Sequence, residues 1–189
     1  MQTKVGVMGS ASEVGRPETA QTLIEKAESL ARAIAKRKVL LFTGATTGVV
    51  YLVGKTAHDE GVFHIGVSPA INEQEHVDQY KLPLDACDAI VYTGFGLKGR
   101  NVVLVRSCDI VLFIAGAMGS LNEFTIAHDE GKVIGCLTGT GGVADDADQL
   151  IQKFGKRTRA RVFQNDDPEK LVEICIEALQ SGSTGTFNQ

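Results

Sequence analysis

Apolar residues run along this chain in two rhythms. Short runs of consecutive apolar positions at 4–9 (KVGVMG), 38–44 (KVLLFTG), 63–68 (FHIGVS), 89–94 (AIVYTG), 109–116 (DIVLFIAG), 132–138 (KVIGCLT) and 161–164 (RVFQ) predict strands. Because the apolar positions follow one another rather than alternate with polar ones, each strand is expected to be covered on both faces. Between the runs the spacing becomes helical. In 17–37, Ala20, Leu23, Ile24, Ala27, Leu30, Ala31 and Ile34 recur on one face, and the segment ends in a basic turn. Helices are predicted likewise over 48–61, 99–107, 120–131 and 146–155. A last one over 167–182 opens with Asp167 as N-cap and Pro168 at the first helical position.

Strand–helix alternation from end to end predicts an α/β protein with a doubly wound, mostly parallel sheet of about seven strands. No internal repeat and no linker divides the chain, so residues 1–180 are expected to form a single domain, with 181–189 (SGSTGTFNQ) as a disordered tail. The segment 69–87 is the least regular interior stretch and reads as a lid or an edge excursion.

Composition narrows the function classes. Of the 189 residues, 43% are hydrophobic and 22% charged, ordinary for a soluble globular domain. The net charge of −4 argues against a nucleic-acid or anionic-membrane partner. No stretch is long enough to span a bilayer, and the first residues enter a strand pattern at once, so no signal or transit peptide is expected. Cys87, Cys108, Cys136 and Cys175 are too scattered for a disulfide framework or a zinc site, and no metal site is predicted. Free thiols suit a reducing cytoplasm, the expected location.

In an open α/β sheet, ligands bind beyond the carboxyl ends of the strands. Here those ends are rich in glycine: 9–12 (GSAS), 43–48 (TGATTG), 93–101 (TGFGLKGRN), 115–123 (AGAMGSLNE) and 138–142 (TGTGG). Two apparent motifs fail. GFGLKG at 94–99 matches a dinucleotide fingerprint, but it follows the fourth strand and lacks the acidic residue that should end the next one. Five residues separate Gly48 from Gly54-Lys55-Thr56 where a P-loop needs four, and the GKT lies inside a helical pattern.

The loop AGAMGSLNE is the strongest candidate. Gly116, Gly119 and Ser120 at a helix start offer backbone N–H groups, a hydroxyl and the positive end of a helix dipole, which suits a phosphate. Glu123 has two readings. Ser120-Leu121-Asn122-Glu123 has the spacing of a capping box, in which Glu123 would fold back onto the Ser120 amide. Alternatively the carboxylate faces a ligand held by the loop. Arg100, just past the fourth strand, is placed to point into the same crevice. Arg106, six residues on, reads as a helix cation or ion-pair partner. His58, His64, His76 and His128 read as structural or surface residues, since none has a nameable partner.

The segment 99–123, GRNVVLVRSCDIVLFIAGAMGSLNE, resembles the LOG-like (lonely-guy) family, formerly described as "possible lysine decarboxylases". That family carries an Arg-Lys segment and, fifteen residues after the Arg, P-G-G-x-G-T-x-x-E. Arg100 to Ala115 is the same step, and Gly116, Gly119, Ser120 and Glu123 fall on the motif's Gly, Gly, Thr and Glu. Gly44 and Gly48 in TGATTGVV match the family's G-G-G-x-x-G-L-M, and VGVMGSAS resembles its first-strand motif. The variant with Asn101 in place of Lys is similar to a prokaryotic branch that also resembles molybdenum-cofactor carrier proteins.

The resemblance covers roughly residues 3–137 and implies a modified Rossmann fold, a homodimer or higher homo-oligomer, and hydrolysis of the N-glycosidic bond of a nucleoside 5′-monophosphate. That chemistry requires no cofactor. Glu123 would be the catalytic carboxylate and Arg100 its partner. Gly9, Ser10, Gly44, Gly48, Gly94, Gly96, Asn101, Gly116, Ala117, Met118, Gly119 and Ser120 would bind the phosphate or nucleotide. A non-catalytic carrier of a phosphorylated ligand is the alternative, with AMP, phosphate or molybdenum cofactor as the bound species. Ala115 for the motif's Pro, Ala117 for its second Gly, and Thr46 and Val50 in the earlier glycine motif are the departures. Nothing resembles a pyridoxal-phosphate lysine, so decarboxylation finds no support.

Overall fold

The structure, a computed structural model, describes residues 1–10 and 17–182. The strands are β1 (Thr3–Gly9), β2 (Val39–Thr43), β3 (His64–Ser68), β4 (Ala89–Tyr92), β5 (Ile110–Ile114), β6 (Val133–Leu137) and β7 (Arg161–Asn165). They form one sheet in the order β4-β3-β2-β1-β5-β6-β7, and every pairing is parallel. The helices are α1 (Pro17–Ala35), α2 (Gly48–Asp59), α3 (Glu73–Asp78), α4 (Gly96–Ser107), α5 (Met118–Asp129), α6 (Gly142–Phe154) and α7 (Pro168–Gly182).

The consecutive apolar positions do what their pattern predicts. Along β5, Ile110, Leu112 and Ile114 pack with Leu30 and Ile34 of α1, Val53 of α2 and Leu171 of α7. Their neighbours Val111 and Phe113 face the other way, onto Leu104 of α4, Phe124 of α5 and Ala147 of α6. The Phe113 and Phe124 rings meet edge to face at 5.5 Å, an arrangement the ring quadrupoles favour. Two layers of helices thus bury a central strand on both faces.

The segment 69–87 contains a short helix, α3, capped by the Asn72 side chain, which accepts from the Glu75 amide at 2.9 Å. Buried His76 ties it down, bonding Ser68 Oγ at 2.8 Å and the Pro83 carbonyl at 3.1 Å. It is a tethered excursion between β3 and the edge strand β4. His64 is also buried, held by Thr43 Oγ1 and the Ala86 carbonyl, and burial lowers its pKa to about 4.

Several helix starts differ from expectation. α4 and α6 begin three and four residues early, at Gly96 and Gly142, because these glycines adopt positive φ and turn the chain directly into the helix. The capping box is likewise corrected. α5 starts at Met118 with Ala117 as its N-cap, and no side chain caps it. Ser120 is therefore the third helical residue, and Glu123 stands in the second turn. The cause is the turn after β5, where Ala115 (φ 53°) and Gly116 (φ 112°) reverse the chain at once. The Ala115 amide donates to Thr140 Oγ1 at 2.8 Å, and the Val143 and Ala144 amides of α6 donate to the Gly116 and Ala115 carbonyls, both at 3.1 Å. Proline, with φ fixed near −65°, could not occupy position 115 in this turn.

At the other end, Asp167 caps α7 as expected, its Oδ1 accepting from the Glu169 and Lys170 amides. α7 continues through Ser181 and Gly182, so the expected tail does not begin at 181. Its remainder, 183–189, lies outside the described residues. All four cysteines are free, and burial pushes the Cys87, Cys108 and Cys175 thiols up to about 12. Among the described residues no helix is long and apolar enough to cross a membrane.

Candidate functional site

From β1 the sheet grows one way through β2, β3 and β4, and the chain then returns to β1's other side as β5. β1 and β5 lie side by side at this switch point in the strand order, where doubly wound sheets open a ligand crevice. A crevice of about 220 Å³ lies there, lined by Gly9 and Ser10 from β1, Gly44 and Thr46 after β2, Lys98, Arg100 and Asn101 of α4, and Ala117, Gly119, Ser120 and Glu123 of α5.

Nine of the sequence-derived site residues are thereby brought together: Gly9, Ser10, Gly44, Arg100, Asn101, Ala117, Gly119, Ser120 and Glu123. The other five stand outside the lining. Gly48 (φ 71°) starts α2, Gly94 (φ 68°) turns against Ile71, and Gly96 starts α4. Gly116 shapes the turn before α5, and Met118 is 75% exposed. Among the discounted features, GKT lies inside α2, where Gly54 gives the His64 ring room, and exposed Arg106 pairs with Glu130 at 3.4 Å.

At the floor, Arg100 Nη1 donates to Glu123 Oε1 at 3.3 Å, and the two residues are only 7% and 6% exposed. Buried Arg100 Nε has no protein partner among the described residues. Gly44 makes this arrangement fit, since a Cβ there would stand 2.1 Å from Arg100 Nη1. Burial pushes the Glu123 carboxyl up to about 7, although Arg100 and Lys98 both pull it down. Burial likewise lowers the pKa of Arg100, against the opposing pull of Glu123. The result is a carboxyl group poised near neutrality beside a guanidinium with donor capacity to spare.

The wall opposite is the start of α5. The first intrahelical bond there runs from the Leu121 amide to the Ala117 carbonyl at 2.9 Å, so the amides of the opening turn have no partner within the helix. With no acidic residue in that turn, the helix end stays electropositive.

Lys98 is a crevice cation that sequence reading missed. It lines the crevice, its Nζ 3.5 Å from where a Cβ on Gly119 would stand. A signal existed. Lys98 lies in the first turn of α4, where the helix dipole disfavours a cation by about 0.3–1 kcal/mol. Its placement against the dipole is that signal. Lys98 stands one turn before Asn101 and returns a positive charge to the crevice.

A parallel, doubly wound sheet with a charged crevice at its switch point defines a Rossmann-like ligand-binding fold. The chain belongs to the SLOG cluster4 family, which it matches over residues 2–172. It is 27% identical over 165 residues to an uncharacterised protein of Archaeoglobus fulgidus, a match covering 87% of this chain and 93% of that one. The X-ray structure of TM1055 superimposes with a TM-score of 0.79 at 28% identity, covering 93% of this chain and 99% of that one. The molybdenum cofactor binding protein of the phototrophic bacterium Rippkaea orientalis follows, at a TM-score of 0.69, 25% identity and coverage of 97% and 99%.

Proposed function

We propose that the crevice binds a phosphorylated small molecule and that the chain is a phosphoribohydrolase acting on a nucleoside 5′-monophosphate of the AMP or cytokinin-riboside kind. The observation that carries this reading is the buried Arg100–Glu123 pair at the floor of the crevice, beside the open amides of α5. The helix end, the Ser120 hydroxyl and Lys98 together suit a phosphate dianion. A phosphate seated there fixes the ribose over Glu123, so that positioning supplies part of the rate.

In the reaction, the bond between C1′ and the base nitrogen breaks and its electron pair leaves with the base. Water adds to C1′ and gives up a proton, the departing base takes up a proton, and the free base and ribose 5-phosphate result. Positive charge develops on the ribosyl centre in between. Glu123 in its carboxylate form stabilises that charge and orients the water, and Arg100 holds the carboxylate. No metal enters this scheme.

A second reading is a carrier that binds without turnover, with a phosphorylated pterin such as molybdenum cofactor as its cargo. The 25% identity to the Rippkaea orientalis cofactor-binding protein, across nearly the whole of both chains, favours it. The same helix end and cations would hold the cargo's phosphate. Under either reading the unit in solution is expected to be a homo-oligomer.

The test is to incubate the protein with a panel of nucleoside monophosphates and assay free base and ribose 5-phosphate, alongside calorimetry on wild type and Glu123→Ala. Turnover that disappears in the variant supports the hydrolase. Equal binding by both proteins with turnover in neither supports the carrier and overturns the first reading.

A further inference from the structure

Asn101 lines the crevice but spends its hydrogen bonds elsewhere. It is buried, and its carboxamide lies 2.8 Å from that of Asn122, the residue preceding Glu123 on α5. The other end of the same amide sits 3.0 Å from Glu123 Oε1 and 3.0 Å from the Leu97 carbonyl oxygen. A backbone carbonyl only accepts hydrogen bonds. The amide atom facing Leu97 is therefore the nitrogen, and the same nitrogen faces Glu123. Its two hydrogens are both used, one on Leu97 and one on Oε1. The Asn122 amide then turns its own nitrogen toward the Asn101 oxygen.

We propose that Asn101 is the positioning residue for Glu123: clamped by Asn122, it donates to Oε1 and leaves Oε2 as the oxygen offered to a ligand. Arg100 reaches the same Oε1, so both of these bonds fall on one carboxylate oxygen. Two donors converging on one oxygen hold the carboxyl by one edge. Asn101 is neutral, so it orients Glu123 without adding a second buried charge beside Arg100. The inference deepens the proposed function, because it concerns how that site's acid is held.

Among the described residues, the charged groups acting on Glu123 come from α4, as Arg100 and Lys98. β1 and Ser10 after it, the β2–α2 loop and α2 contribute uncharged groups to the lining (Met8, Ser10, Thr46, Val50), and the Cys108 thiol, held near 12, stays neutral. A change in the titration of Glu123 on altering Asn101 or Asn122, with both cations kept, therefore reads the amide chain itself.

The experiment is a pH titration of the Glu123 carboxyl carbon by NMR in glutamate-13C-labelled protein, with Glu123→Gln used to assign the signal. Wild type is compared with Asn101→Leu and Asn122→Ala. A donor to the ionised form stabilises it, so Asn101→Leu is expected to raise the midpoint by about one pH unit. Asn122→Ala should raise it by less, because the unclamped amide rotates away from Oε1 part of the time. A residue that merely packs would lower the melting temperature and leave the midpoint unmoved. An unchanged or lowered midpoint in folded Asn101→Leu overturns the proposal. Should that variant fail to fold, an unmoved midpoint in Asn122→Ala does so instead. The titration needs no turnover, so it separates this inference from the hydrolase reading. Loss of the latter would show as absent turnover with the midpoint shifts intact.

Discussion

The pH dependence of turnover is the sharpest test of the proposed hydrolase role of Glu123. Burial sets its carboxyl near 7, and a group that stabilises positive charge must be ionised to act. The sign follows directly: kcat/KM rises with pH as Glu123 loses its proton, then levels off. With a midpoint near 7, the ionised fraction climbs from about a tenth at pH 6 to about nine-tenths at pH 8, so kcat/KM should rise about tenfold over that interval. The assay is initial-rate release of free base from the best nucleoside monophosphate, at substrate well below KM, where the profile reports the free protein.

The substrate's second phosphate ionisation, at about pH 6, contributes a limb of its own. Lys98→Met separates the two. Lys98 pulls the Glu123 carboxyl down, so its loss moves the Glu123 limb to higher pH and leaves the phosphate limb where it was. A profile that is flat from pH 6 to 8, or one that falls as pH rises, would refute a carboxylate role. A limb that Lys98→Met does not displace would assign the rise to the ligand instead.

Four further outcomes are expected. Gly44→Ala places a Cβ 2.1 Å from Arg100 Nη1, the movable end of a side chain, so the guanidinium swings off Glu123. Thermal stability should change little while nucleotide affinity by calorimetry falls about 10²-fold, and unchanged affinity would contradict the account of the floor. Gly142→Ala meets backbone, 2.0 Å from the Gly116 oxygen at φ 59°, and should cost about 3 kcal/mol in urea unfolding; a loss below about 1 would show that the loop relaxes. His76→Ala removes the Ser68 and Pro83 bonds that His76 makes, and the 69–87 excursion should lose about 2–4 kcal/mol and become the first site of limited proteolysis.

The fourth concerns stability against pH. The folded state raises the Glu123 carboxyl from 4.5 to about 7, so it favours the protonated form. That contribution is complete below pH 4.5 and is lost as pH rises through about 7, a change of roughly 3 kcal/mol. Glu123→Gln cannot ionise, so the stability of wild type relative to this variant should fall across that window. A constant difference would show that the carboxyl is not desolvated.

Strand runs were legible because a sheet buried on both faces leaves little room for polar residues. DIVLFI could be little else, and its residues divide between the two helix layers as β5 requires. The gathering of Gly9, Gly44, Arg100 and Glu123 was legible for a similar reason, since topology delivers strand ends to one edge whatever the side chains do. Helix register was not legible. Ser and Glu three residues apart make a capping box only if the helix begins at the Ser, and the same spacing one turn further in puts both on a single face of the helix. What decides between these is the backbone at Ala115 and Gly116, and that turn is held by Thr140, Val143 and Ala144, contacts from a loop and helix more than twenty residues downstream. Starting α5 at Met118 moves Glu123 from the helix end, where it would have consumed the Ser120 amide, into the second turn opposite Arg100. The competition between the two readings of Glu123 is thereby removed: its carboxylate does not consume the opening amides of α5, and it meets Arg100 instead.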